Sequence, residues 1–356
     1  MKMRSKVKWV ALLVIALFLV SGAVAQAKEK RILLKVPVAF STVLPGLGDS
    51  ILYVADRIET VSGGTLKMKV YEPGKLVPPF EILDAVSTGK VNAGYAAAGY
   101  WAGKIPASPF FTAVPFGPEA GEFMAWLYYG NGMKLYQEMY DRYGYNVKVF
   151  PLCILAPETA GWFKKPINSV EDLKGLRIRF FGLGGKVMQK LGASVSLLPG
   201  GEIFPALEKG ALDATEFSMP AIDERLGFYK VAKYNYFPGW HQQATVLELL
   251  INKDVWNSMS KRQQMVIDVL CKASMADSFA HTEAIQGKVI RENEEKRGVK
   301  NMYWSDEMLK AFKKAWLEVV DEMVKKDEFF KKVWEDFQAF DKDYQYWEKY
   351  GFLPRR

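Results

Sequence analysis

EIFPALEKGALDATE, residues 202–216, falls on EILDAVSTGKVNAGY, residues 81–95, when the chain is slid by 121 positions, with Glu, Ile, Ala, Gly and Ala coinciding at 81/202, 82/203, 85/206, 89/210 and 93/214. Each copy reads as a short helix, a glycine stop and a strand. Gly89 and Gly210 stand where a chain leaves a helix in the left-handed conformation, which strains any residue carrying a Cβ. Common helix-stop grammar produces some coincidences of this kind; the structural reading is that each half of the protein owns one such unit. The strand ends after Tyr95 and after Glu216 are then equivalent places in two similar α/β domains.

The flanking sequence alternates in the same way. RILLKVPVAF (31–40) reads as a strand, and GDSILYVADRIETVSGG as a helix with Ile51, Val54, Ala55, Ile58 and Val61 on one face and Gly63-Gly64 as its stop. TLKMKVYEPG alternates Leu66, Met68 and Val70, and Pro78-Pro79 opens the next helix. Such alternation implies a largely parallel sheet with helices on its faces. Open α/β sheets bind ligands beyond the carboxyl ends of their strands. Two domains facing each other through those ends form a cleft, into which the first presents Ala97, Ala98, Gly99, Tyr100 and Trp101 and the second Glu216 and Phe217. A carboxylate on a cleft floor calls for a cation or a ligand donor opposite; an ordinary ion pair with a nearby Lys or Arg meets the same need.

SVEDLKGLRIRFFGLGGKVMQKLG (169–192) supplies the positive group. Ser169, with Glu171 and Asp172 in the first turn, makes a capping-type start, and the strand LRIRFF then places Arg177 and Arg179 on one face and Ile178 on the other. An Arg buried near a strand tip needs an anion, and its planar fork matches a carboxylate bidentately. GLGGK is not a phosphate loop, because Val187 follows Lys186 and no third glycine completes a dinucleotide fingerprint.

The N-terminus sets the compartment. Lys2, Arg4, Lys6 and Lys8 precede an apolar run from Trp9 to Val20, and small residues follow for cleavage after Ala25 or Ala27. This is the pattern of a secretory signal; the run is too short for a membrane span. Removing residues 1–27 takes four of the 48 basic residues and none of the 40 acidic ones, leaving a formal charge of +4. Without a basic run in the remainder, nucleic-acid binding is disfavoured. Cys153 and Cys271 each sit in an apolar run, compatible with one disulfide or with two buried thiols.

KGLRIRFFGLGGKVMQKLGAS, followed by GGEIFPALEKGALDATEFSMPAIDERLGFYKVAKYNYFPGWH, resembles the solute receptors of tripartite ATP-independent periplasmic (TRAP) transporters, through a G-x-x-x-x-A-L-x-x-G-x-[LV]-D-A-x-E core. The likeness extends over the whole mature chain and is nearest to receptors for 2-oxo and 2-hydroxy monocarboxylates, such as pyruvate and lactate, with a metal ion. It implies that Arg179 binds the ligand carboxylate and that Glu216 is a metal ligand, with Phe217 offering its main-chain carbonyl where the family usually has Trp. Further ligands fall on Glu158 and Gln242, positions that have exchanged Glu and Gln relative to other members. This all-oxygen donor set suits Na⁺ or Ca²⁺ rather than zinc or copper. Two carboxylates converging without a cation force one to protonate.

The expectation is therefore a periplasmic receptor, not an enzyme. Its fold is α/β and two-domain, periplasmic-binding-protein-like (type II-like), with a long domain-spanning helix and C-terminal helices. Residues 28–152 with 245–290 form the first domain, 153–244 the second, and 291–356 the C-terminal helices, after a signal peptide of 1–27. A small carboxylate is held by Arg179, Tyr100, Trp101, Glu158 and Phe217, the metal by Glu216, Phe217, Gln242 and Glu158, and the ligand passes to membrane permease subunits. The aromatic-rich C-terminal helices pack on the receptor itself or form a homodimer contact. The competing reading is a secreted carbohydrate-active hydrolase using the carboxylate pair. His281 reads as a helix-face residue, whereas His241, beside Gln242, is placed to line the cleft.

Overall fold

The computed structural model describes residues 29–353, so the signal segment 1–27 lies outside the described residues. The chain begins β1 (Ile32–Pro37), α1 (Ser50–Val61), β2 (Leu66–Tyr71), α2 (Ile82–Ser87) and β3 (Ala93–Ala96). β1 and β2 pair in parallel, and a parallel bridge from Val38 to Tyr95 sets them beside β3. Helices α3 (Ala120–Tyr129) and α4 (Gly132–Arg142) lead into β4 (Val147–Leu155).

The second part contributes β5 (Gly161–Phe163), β6 (Arg177–Arg179), α5 (Gly182–Lys190), β7 (Ser194–Ser196), α6 (Gly200–Glu208), β8 (Ala214–Thr215), α7 (Pro220–Leu226) and β9 (Tyr234–Phe237). Then come β10 (Thr245–Asn252), α8 (Lys253–Asn257), the 37-residue α9 (Lys261–Arg297), β11 (Lys300–Tyr303), α10 (Asp306–Lys326) and α11 (Glu328–Gly351). The two aligned stretches are the same unit: α2 and α6 each stop at a glycine, Gly89 at φ +75° and Gly210 at φ +74°, before β3 and β8.

The sheets are mixed rather than largely parallel. β10 returns from the second part of the chain and lies antiparallel between β3 and β4, while the six-stranded sheet runs β11-β9-β5-β8-β6-β7 with β5 antiparallel to both neighbours. Alternation along a chain predicts parallel pairing only for consecutive strands joined by helical crossovers; β10 is a long-range return. The strand is buried throughout and mostly apolar, with Glu248 the one charged residue in it.

At 1.5 Å per residue α9 is roughly 55 Å long. A Ser260–Gln263 capping box starts it and Gly298, in the left-handed conformation, ends it. Small hydroxyls let it approach closely: Ser274 Oγ donates to the Ser50 carbonyl, and Ser278 both donates to and accepts from the backbone of Ile154. Farther along, Gln286 Oε1 accepts from Ala221 N and Arg297 pairs with Glu224, so one helix is tied both to β4 of the three-stranded sheet and to α7 beside the six-stranded one. Most of the C-terminal pair also packs on the protein. Phe312 of α10 stacks on Trp240, and Phe330 and Phe337 of α11 meet Phe110 and Trp126. Cys153 and Cys271 are both buried free thiols. No described helix is long and apolar enough to cross a membrane.

Candidate functional site

Strand alternation puts Ile178 into the core and turns both β6 arginines to the other face, where position along the strand separates them. Arg177, at the outer end, makes a two-pronged pair with Asp213, Nη2 to Oδ1 at 2.6 Å and Nε to Oδ2 at 2.9 Å. Arg179, at the inner end, is 1% exposed. Its Nη1 donates to the Glu216 backbone carbonyl at 2.7 Å and to Glu216 Oε2 at 2.9 Å, and its guanidinium lies 5.1 Å from the centre of the Phe217 ring.

Glu216 follows β8 directly. Its Oε2 also accepts from Phe181 N at 3.0 Å, while Oε1 lies 3.3 Å from His241 Nε2 and has no hydrogen-bond partner. Burial alone would raise this carboxyl; the Arg179 charge, His241 and the Phe181 N–H outweigh it and hold the group below its ordinary value. Glu158, between β4 and β5, is the opposite case. Burial and then the charge of Glu216 push it well above the carboxylate range.

Thr245 ties Glu158 to Gln242. Its hydroxyl donates to Glu158 Oε1 at 2.7 Å and accepts from Gln242 Nε2 at 2.8 Å, and Ser218 Oγ adds a 3.3 Å bond to the same Glu158 oxygen. The backbone locks the arrangement, with Glu158 N donating to Gln242 O and Gly239 N to Glu158 O. A Cβ at Gly239 would lie 2.3 Å from that carbonyl, so only glycine fits.

A small, nearly closed cavity of about 20 Å³ lies beside these groups. Phe40, Leu47, Ala97 and Tyr100 wall it on one side and Arg179, Phe181 and Phe217 on the other, with Glu158, Gln242 and Thr245 between. Tyr100 meets Phe181 edge-on at 5.4 Å. Trp101, expected in the cleft as the last residue of the run beyond β3, is absent from this lining. Its indole N–H donates to buried Glu248 at 2.8 Å, on the far side of the turn. His241, Thr245 and Ser218 join the site instead; the first stood out in PGWHQQ, whereas two hydroxyls on separated segments carry no sequence signature.

The donor set fits a cation. Glu158 Oε2, Glu216 Oε1 and Gln242 Oε1 are buried acceptors without donors, as are both nitrogens of His241 without partners. Ligand atoms of Glu158, Glu216 and His241 lie within 4.8 Å of one another. Buried polar groups are rarely left unpaired, and a cation beside His241 satisfies acceptors left without a well-formed hydrogen bond.

Residues 47–327 match the family model described as bacterial extracellular solute-binding protein, family 7 (DctP). The chain is 38% identical over 300 residues to the monocarboxylate 2-oxoacid-binding periplasmic protein of Nostoc sp., covering 84% of this chain and 82% of that one. A TRAP transporter solute-binding protein from Bordetella bronchiseptica superposes with a TM-score of 0.88 at 29% identity, covering 91% of this chain and 95% of its own; it is a dimer with calcium and picolinate bound in one site. Another from Pseudoalteromonas atlantica, with sodium and pyruvate bound, gives a TM-score of 0.86 at 32% identity, covering 90% and 97%.

Proposed function

The chain belongs to family 7 of the bacterial extracellular solute-binding proteins, the DctP family of TRAP receptors, and we propose that its cavity captures a small 2-oxo or 2-hydroxy carboxylate together with Na⁺ or Ca²⁺. The observation that carries this reading is the set of partnerless buried oxygens on Glu158, Glu216 and Gln242, facing a cavity with Arg179 in its wall. Glu216, Glu158, Gln242 and the Phe217 carbonyl hold the cation. Arg179, Tyr100 and Phe217 receive the acid, whose carboxylate and neighbouring oxygen reach the cation while its other carboxylate oxygen meets Arg179. Relatives bind pyruvate with sodium and picolinate with calcium, in keeping with such chelation.

The receptor reading places the chain outside the enzymes. A hydrolase acting through the carboxylate pair is not supported: Glu216 is committed to Arg179 and is fully buried, unsuited to attack a sugar. The cleft lies between two lobes, one built on the β3-β10-β4 sheet and the other on the six-stranded sheet; β4 carries the first past the boundary expected at 152 to Leu155, and β11 adds residues 300–303 to the second. A ligand touching both favours their closed arrangement. After cleavage of residues 1–27 the receptor works in the periplasm and delivers the acid to membrane permease subunits. The end of α11 leaves Tyr346, Trp347, Tyr350, Phe352 and Leu353 exposed, and we assign this patch to a second copy of the chain, as the Bordetella relative is a dimer. Light scattering on full-length protein and on protein ending before Tyr346 checks that assignment.

Calorimetry with pyruvate and lactate tests the main reading, each with calcium, with sodium, and after chelation in a potassium buffer. Micromolar binding that disappears without the cation is expected; tight binding in every salt would remove the metal from the site.

A further inference from the structure

Glu248 is a carboxylate in the core beyond the cavity, with no cation near it. It is fully buried on β10, opposite Ala96 of β3 and beside a register shift between Leu247 and Glu248. Four hydrogen bonds converge on it: Trp101 Nε1 to Oε1 at 2.8 Å, Tyr136 OH to Oε2 at 2.6 Å, and Tyr140 OH to both oxygens at 2.7 Å. Burying a carboxylate costs several kcal/mol even when hydrogen-bonded. Packing alone calls for an apolar residue there. A carboxylate offers about four acceptor sites, enough for these donors, where an amide has one oxygen.

The donors divide into two groups. Tyr136 and Tyr140 belong to α4, one helical turn apart, and Tyr136 stacks on Phe111 at 4.3 Å, so that side is a fixed aromatic block. Trp101 belongs to the single 3₁₀ turn Ala98–Trp101 that follows β3. Neighbouring residues of that turn point opposite ways, Tyr100 into the cavity and Trp101 to Glu248. β10 does the same, with Leu247 lining the cavity and Glu248 behind it. The turn has one other hydrogen bond to a side chain, Gly99 N to Thr112 Oγ1 at 3.0 Å, and the Tyr100 ring packs against Phe40, Phe80 and Phe181.

We infer that Glu248 is a positioning residue for acid binding: through the Trp101 bond it couples the α4 block to the turn and fixes Tyr100 against Phe181 and the ligand. The inference rests on the reading of the cavity as the carboxylate site.

The test measures pyruvate affinity in calcium buffer, together with the melting temperature, for full-length protein and its variants. Trp101→Phe keeps the ring and deletes only the donor; it weakens binding about tenfold, the scale of one hydrogen bond to a charged acceptor. Tyr136→Phe deletes a bond to the same carboxylate on the side away from the turn; it lowers the melting temperature and leaves affinity unchanged. Glu248→Gln retains an acceptor for Trp101 and keeps most of the affinity. Glu248→Met does not, and adding Trp101→Phe to it costs nothing more. If Glu248→Met fails to fold, the Trp101 and Tyr136 pair still decides. Equal affinity in wild type and Trp101→Phe, or equal losses in Trp101→Phe and Tyr136→Phe, overturns the positioning role. A wild type that binds no pyruvate overturns the cavity reading and this inference with it.

Discussion

Arg179 and Glu216 form an ion pair, Nη1 to Oε2 at 2.9 Å, in which neither side chain reaches solvent. One oxygen of that carboxylate is therefore spent on the arginine and the other faces Glu158 and His241 with no donor. The pair fixes an anionic oxygen beside the cavity while keeping the guanidinium next to it. Removing either partner leaves the other buried and uncompensated, which costs about 3–5 kcal/mol in comparable pairs.

Arg179→Lys should weaken carboxylate binding by at least tenfold, since a point charge cannot hold Glu216 and a ligand carboxylate with one planar fork. Arg177→Lys should change affinity little, because its partner Asp213 is partly exposed and remote from the cavity. Calorimetry on both folded variants checks the contrast; equal, small losses would remove Arg179 from the ligand.

Glu216→Gln keeps the side chain's size and deletes its charge. Cation and acid stabilise each other's sites, and coupling of this kind is typically about 1–3 kcal/mol, so acid affinity should drop roughly 5- to 150-fold. Chelation should reproduce the loss in wild type if the ion is calcium, and exchange of sodium for a larger monovalent ion if it is sodium. Lower stability with unchanged affinity in every salt would make Glu216 a structural partner of Arg179 alone.

Gly99→Ala addresses closure. A Cβ at Gly99 would sit 2.3 Å from Phe181 Cζ, across the cleft between the proposed lobes. Overpacking there costs about 1–3 kcal/mol in the closed form and nothing when the lobes part. Ligand affinity should therefore fall while ligand-free thermal stability changes little, and Phe181→Leu should restore part of it. Scattering profiles with saturating pyruvate would show the shift in compactness.

Glu248 carries a pH dependence whose sign is fixed. Burial pushes its carboxyl up to about 7, against donors from Tyr136, Tyr140 and Trp101 that lower it. Between about 4.5 and 7 the folded state keeps a proton that the unfolded chain has released, so this group's contribution to stability declines as pH rises and levels off above 7, by about 3 kcal/mol in all. Asp223 and Glu122, both pushed up to about 8 chiefly by burial, act in the same direction. Melting temperatures of ligand-free protein from pH 5 to 8 should slope downward, and Glu248→Gln should flatten the lower part of that slope.

The repeated helix-glycine-strand unit was legible because backbone rules set it: only the left-handed stop at Gly89 and Gly210 requires a particular residue at a particular spacing. Arg179 and Glu216 were legible as charges at the ends of apolar strands. Trp101 was misread because its place in the run beyond β3 says nothing about which side of a single tight turn its ring occupies. Thr245 and Ser218 were invisible; what makes them part of the site is a meeting of chain segments far apart in sequence around Glu158. The antiparallel entry of β10 had the same cause, a long-range return that no local period encodes.

The C-terminal hairpin has a mechanical consequence. α10 is held to the second proposed lobe, Lys190 pairing with Glu318 and Glu322 beside the Trp240–Phe312 stack, whereas α11 is held to the first through Trp126 and Asn131 on Asp336. Asp327 alone separates the two helices, and Tyr143 OH donates to it at 2.6 Å. With α9 spanning both lobes as well, two rigid bodies that would otherwise have six relative degrees of freedom are tethered at two further places besides the strand connections. Tethers placed in this way resist sliding and twisting of the proposed lobes more than rocking about the line that joins the tethers, so any closure of the proposed cleft must be accommodated at the α10–α11 junction around Asp327.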